Sequence, residues 1–213
     1  MKIELRKVSS LSPDEIANCC SSCFPMVFGD TWPRDRSEES VDQWLSELRV
    51  AERNANEIRL ILRDYRYDCG PITSVRVNRV FPELDFAQMK CFTSEEAILS
   101  GLASATCQAA INFAFNSGLT SHILAKASPS DTLLQKLYST IPLTVFTELV
   151  SLGSGISTRV PFEIRKRNPV WRSWNYESVI DEAESLLQAG EDLLEQSISL
   201  MDREYDQENL AAY

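Results

Sequence analysis

Gly101 to Leu143, GLASATCQAAINFAFNSGLTSHILAKASPSDTLLQKLYSTIPL, decides the fold of this 213-residue chain. A small-residue turn opens an apolar helix, a short strand follows over His122 to Ala127, and a second helix begins after Pro129 and carries Tyr138. A helix that starts on Gly and Ala leaves its first backbone N–H groups free, and the helix dipole favours an anion such as phosphate there. A tyrosine one helix later can supply a proton at the other end of such a ligand. Each residue also has a purely structural account. Gly101 permits close packing, Asp131 caps the helix that follows it, and Tyr138 is a half-buried core tyrosine.

Upstream, Thr93-Ser94-Glu95-Glu96 can cap a helix that runs to Ser117 and stops at Gly118. Its residues are apolar nearly all round, which predicts a central buried helix. Before it, three alternating segments read as a meander: Glu57–Asp64, Ile72–Val80 and Asp85–Phe92. Lys2–Val8 alternates as a first strand. Ser12-Pro13-Asp14-Glu15 has the N-cap, first-turn proline and third-position glutamate of a helix start. Ser37–Asn54 reads as a second amphipathic helix, and Phe24–Asp35 as an aromatic loop that either plugs the core or lines a cleft. Downstream, Thr144–Leu152 and Ser157–Lys166 read as a hairpin around Gly153-Ser154-Gly155.

Past Pro169 the composition changes. Residues 176–213 hold 11 of the 31 acidic residues and one of the 21 basic ones, so 1–175 carries 20 of each and the tail holds the whole net charge of −10. A neutral body argues against a general nucleic-acid binder, although Arg165, Lys166, Arg167 and Arg172 form a local basic patch. The tail shows a narrow apolar stripe from Tyr176 to Met201, suited to docking on its own body or on a partner, including a second copy through 176–205. No apolar run reaches the ~18 residues of a membrane span, and the N-terminus lacks the apolar stretch of a signal peptide, so a cytoplasmic protein is expected. Cys20 and Cys23 form a lone CxxC, without the second ligand pair a zinc site needs. No metal is expected. The six cysteines read as reduced and mostly buried thiols.

The order strand, two helices, meander, buried helix, strand, helix, hairpin resembles the GNAT family of N-acetyltransferases over about residues 2–166. Ile98-Leu99-Ser100-Gly101-Leu102-Ala103 is similar to the family's Q/R-x-x-G-x-G/A turn, with Ile98 where Gln or Arg is usual. Ala114-Phe115 with Gly118-Leu119, Pro129-Ser130-Asp131-Thr132, and Leu137-Tyr138 resemble later motifs of the ribosomal-protein-acetyltransferase branch. Pro142 and Leu143 stand in place of its Gly-Phe. The resemblance implies an α+β fold: a mixed sheet of about six to seven strands flanked by helices, residues 1–170, with a helical appendage over 171–213. It implies acetyl-CoA as co-substrate, held by Phe92, Thr93, the turn from Ile98 to Ala103, Asp131, Leu134 and Tyr138. It also implies direct acyl transfer to an amine of a protein, peptide or small molecule, with Tyr138 protonating the departing thiolate and main-chain N–H near Phe92 polarising the thioester. Glu83 and Asp85, and behind them Glu38 and Glu39, are candidate bases, with a water relay as the alternative. A second reading keeps the fold without the activity: Ile98 and Pro142 mark a degraded site, and the acidic C-terminal helix makes the protein an interaction module.

Overall fold

The computed structural model describes residues 3–21, 37–64, 71–79, 85–141, 144–145 and 160–165, with Ile180, Asp181 and Ser185 of the C-terminal segment. Within these residues a seven-stranded sheet has the order β1-β2-β3-β4-β5-β7-β6. β1 (Ile3–Lys7), β2 (Glu57–Asp64), β3 (Pro71–Arg79) and β4 (Ala87–Thr93) are antiparallel neighbours. β4 and β5 (His122–Ala127) are parallel, and β7 (Val160–Arg165) lies between β5 and the short β6 (Thr144–Val145). The meander is therefore as expected; β6 and β7 pair antiparallel as expected of the hairpin, whose turn at Gly153-Ser154-Gly155 lies outside the described residues. The parallel step between β4 and β5 follows from the helical crossover that joins them, since parallel neighbours cannot be joined by a tight turn.

Strand alternation sends successive residues to two different cores. Ile58, Leu60 and Leu62 of β2, Val75 and Val77 of β3, and Met89 and Cys91 of β4 pack toward α4 (Leu102–Asn116). Ile61 and Phe92 face the other way, with the core of α1 (Pro13–Ser21) and α2 (Glu38–Arg53). The helix starts are the ones written in the sequence. The Ser12 hydroxyl accepts from the Glu15 N–H at 3.2 Å while the Glu15 carboxylate accepts from the Ser12 N–H at 2.9 Å, a complete capping box. Ser37 caps α2 by accepting the Ser40 N–H at 3.3 Å, and Ser40 stands where the Glu of a full capping box would be.

The central helix departs from expectation in one respect. It is broken into α3 (Glu95–Leu99) and α4, with Ser94 capping α3 and Gly101 at φ 81° and ψ −7° between them. The apolar pattern runs through the break, and only the glycine, free to enter the left-handed region, marks it. α4 is buried from Leu102 to Ile111 on every side, and Ile180 packs against the same core. α5 (Thr132–Thr140) follows β5. The loop 24–35, residues 146–159 and most of the tail lie outside the described residues. So do Cys23, Glu83, Pro142, Leu143, Lys166, Arg167 and Arg172. Among the described residues no helix is long and apolar enough to cross a membrane.

Candidate functional site

β4 and β5 are paired only over Ala87–Ile123, Gln88–Leu124 and Met89–Ala125. β4 continues to Thr93 along β3, and β5 continues to Ala127 along β7, so the two strands part after Met89 and Ala125. This leaves a fork in the middle of the sheet, opening toward the C-terminal ends of both strands. Backbone groups on the facing edges of Cys91–Thr93 and Lys126–Ala127 lack a ladder partner across it, and buried backbone groups in that condition call for another partner. Parallel strands that separate at their carboxyl ends make a crevice suited to a ligand.

Three further elements converge on the open end because the chain passes directly from the strands into them. β4 leads through α3 to Gly101, and β5 leads through a turn into α5. α4 begins without a side-chain cap on Gly101, and its first helical hydrogen bond is Ala105 N–H to the Gly101 carbonyl at 3.0 Å. The N–H groups of Leu102, Ala103 and Ser104 therefore have no partner within the helix, and they gather at the positive end of a 15-residue dipole. Ile98 is half-buried against the core, where a polar side chain would have lost its water, while Leu99 is 62% exposed. Ser100 is turned back onto the Ala97 carbonyl.

Tyr138 borders the fork from α5. Its side chain is 1% exposed, its ring meets Phe162 edge-to-face at 5.4 Å, and Cys91, just past the point of separation, is its neighbour on β4. Burial pushes the phenol well above its usual range, and the neighbouring Cys91 and Cys107 thiols add to the shift, so Tyr138 keeps its proton at neutral pH. Burial likewise raises Cys107, which lies beside Cys91; these two and Cys19 are free and buried, as inert core thiols should be.

The remaining sequence candidates scatter. Asp131 accepts the Leu134 N–H at 2.9 Å and is the N-cap of α5; Leu134 is half-buried on the core. Thr93 shares a hydroxyl hydrogen bond of 2.8 Å with Thr73, and Phe92 leans into the core of α1 and α2. Asp85 sits at the closed end of the fork, not the open one. Its carboxylate accepts both the N–H and the hydroxyl of Ser121, pinning the start of β4 to the start of β5, and these bonds hold its pKa below the usual range. Glu38 and Glu39 are exposed in the first turn of α2. Among the described residues no group of His, Cys, Asp or Glu could hold a metal ion. Sequence reasoning missed Cys91 and Cys107 as neighbours of Tyr138, and no local signal could have paired residues on separate elements.

Solved structures share this architecture. Ribosomal-protein-S5-alanine acetyltransferase from Vibrio fischeri superposes with a TM-score of 0.59 at 13% identity, over 79% of this chain and 95% of that one. This is the GNAT acetyltransferase fold. A GNAT-family acetyltransferase from Streptococcus pneumoniae gives 0.54 at 13% identity, over 77% of this chain and 99% of its own. YncA from Salmonella typhimurium, solved with its cofactor acetyl-CoA, gives 0.53 at 10% identity, over 79% and 96%. No family sequence model and no curated protein sequence matches the chain. The likeness to the GNAT fold is one of backbone architecture, and the expectation of that fold from the Gly101–Leu143 stretch is met.

Proposed function

We propose that the chain is an acyl-CoA-dependent N-acyltransferase that passes an acetyl group from acetyl-CoA directly to an amine. The observation that carries this is a convergence at one end of the sheet: a strand fork, an uncapped helix start on a left-handed glycine, and a protonated phenol at the fork's edge. The residues fit the ligand by chemistry. The Leu102, Ala103 and Ser104 N–H groups offer donors and a positive dipole to a pyrophosphate, and the absent side chain of Gly101 lets it approach. The unpaired main-chain edge of Cys91–Thr93 offers donors and acceptors to an amide-bearing arm and to a thioester oxygen.

Acetyl-CoA, when bound, supplies an activated carbonyl carbon and a thiolate leaving group. The task of Tyr138 is to hold a proton on Oη and deliver it to that sulfur; the raised pKa of its phenol keeps that proton in place until the thiolate departs. Asp85 is spent on Ser121 at the far end of the fork. A water relay is the base this reading favours, with Glu83 as the other candidate.

The deep burial of Tyr138 favours one competing reading, a core tyrosine in an inactive member of the fold that acts through its acidic C-terminal segment. Thermal unfolding with acetyl-CoA separates the two. A ligand at 100 times its dissociation constant adds about 2.7 kcal/mol of stability, so the transferase reading expects a rise in Tm. No rise at millimolar acetyl-CoA overturns it.

A further inference from the structure

The sheet face opposite α4 carries a row of cations that ends at the fork. Arg59 of β2, Arg76 of β3 and Lys90 of β4 are successive register partners. Lys126 follows Ala125, the partner of Met89, and so continues the row on the far side of the fork. All four point away from α4, because their neighbours Leu60, Val75, Val77, Met89, Cys91, Ala125 and Ala127 are buried in its core. Like charges side by side on adjacent strands destabilise a sheet, so such a row has to be compensated.

One described carboxylate compensates it. Glu57 meets Arg59 at 2.8 Å and Arg76 at 2.7 Å. Arg59 is closed off at 5% exposure beneath Trp44, whose ring centroid is 5.1 Å from the guanidinium carbon. Arg76 keeps a buried Nε with no hydrogen-bond partner. Lys90 and Lys126 are exposed on either side of the fork, and no ion pair to either occurs among the described residues. Glu163 of β7 is in register with Leu124, one row back toward the closed end.

We propose that Lys90 and Lys126 bind the anionic part of the acceptor, with Arg76 adding charge behind them, so that the amine acylated at this fork belongs to an acidic peptide. The inference rests on the transferase reading for the word acceptor, and on the cation row alone for the anionic ligand. The two lysines flank the opening from the face opposite α4, where the Asp or Glu side chains of a peptide would meet them. Long-range attraction of this kind adds encounter rate and selectivity.

The test uses the full chain and two labelled tetrapeptides with free N-termini and amidated C-termini, one of Asp and Glu, the other of Asn and Gln. Fluorescence anisotropy at low salt reads binding without turnover. The acidic peptide is expected to bind about tenfold more tightly, and the charge-reversed K90E/K126E chain to lose that preference while K90R/K126R keeps it. Both lysines are exposed, and circular dichroism checks that each variant is folded. Equal affinity for the two peptides, or an unchanged preference in K90E/K126E, overturns the inference. Acetyl-CoA thermal shift is read in parallel. A shift without peptide discrimination removes the acidic acceptor and leaves the transferase standing. Discrimination without a shift removes the transferase and leaves an acidic-peptide site.

Discussion

Replacing Tyr138 by Phe separates its packing from its chemistry. The ring is 1% exposed and lies edge-to-face on Phe162, and Phe keeps both of those contacts. What is lost is one buried hydroxyl. A buried polar group of this kind contributes about 1 kcal/mol, so Y138F should unfold about 2–4 °C lower than the parent in a chain of this length. Tyr138→Ala would instead empty the site and cost about 3–5 kcal/mol, which makes it a poor probe of mechanism. If the phenol protonates the leaving sulfur, Y138F should lose about 10²–10⁴ in turnover while binding CoA as before. Thiol release, followed with a chromogenic thiol reagent, measures the first quantity, and titration calorimetry with CoA the second. Turnover within threefold of the parent would remove Tyr138 from the chemistry. Loss of CoA binding in step with turnover would make it a binding residue.

The other predictions concern single features. Gly101→Ala places a Cβ at φ 81° and should cost about 1 kcal/mol in urea unfolding, with weaker CoA binding because the helix start must shift; unchanged binding would separate the turn from the ligand. Glu57→Gln leaves Arg59 and Arg76 without their shared carboxylate and should lower stability by roughly 3 kcal/mol, whereas a loss under 1 kcal/mol would mean that water screens the row. Glu15 is held low by hydrogen bonds from Ser12 and by Arg6, and Asp85 by hydrogen bonds from Ser121. Both pKa values fall on folding, so their stabilisation is complete above the unfolded values and fades as pH drops through the folded ones. Urea midpoints should therefore decline below about pH 4.5, and S121A should flatten part of that decline.

The sequence displays what is local. The capping box at Ser12–Glu15, the alternation of Glu57–Asp64 and the cap at Asp131 depend on residues within one turn or one strand, and each is found where its chemistry places it. Non-local facts were hidden. Asp85 looks like a free carboxylate at the start of a strand, and only Ser121, 36 residues away, makes it a pin. The row from Arg59 to Lys126 is invisible until four strands are in register, because each cation alone is an ordinary outward residue of an alternating strand. The break at Gly101 lies between these cases: the glycine suggests an approach for phosphate, while the apolar pattern around it suggests one continuous helix.

The three-pair join between β4 and β5 has a mechanical meaning. On one side lie β1 and the three-stranded meander β2-β3-β4, and on the other the triplet β5, β7 and β6. The chain crosses between them through α3 and α4, and the Asp85–Ser121 clasp holds the short seam at its closed end. One core beneath α4 backs both sides, yet the ladder that stitches them is brief, and local regions of this kind open with their own free energies. Whatever bridges Cys91–Thr93 to Lys126–Ala127 lengthens the stitching. Amides near the seam should then exchange with solvent before those of β2 and β3, and should be the first to slow when a ligand enters.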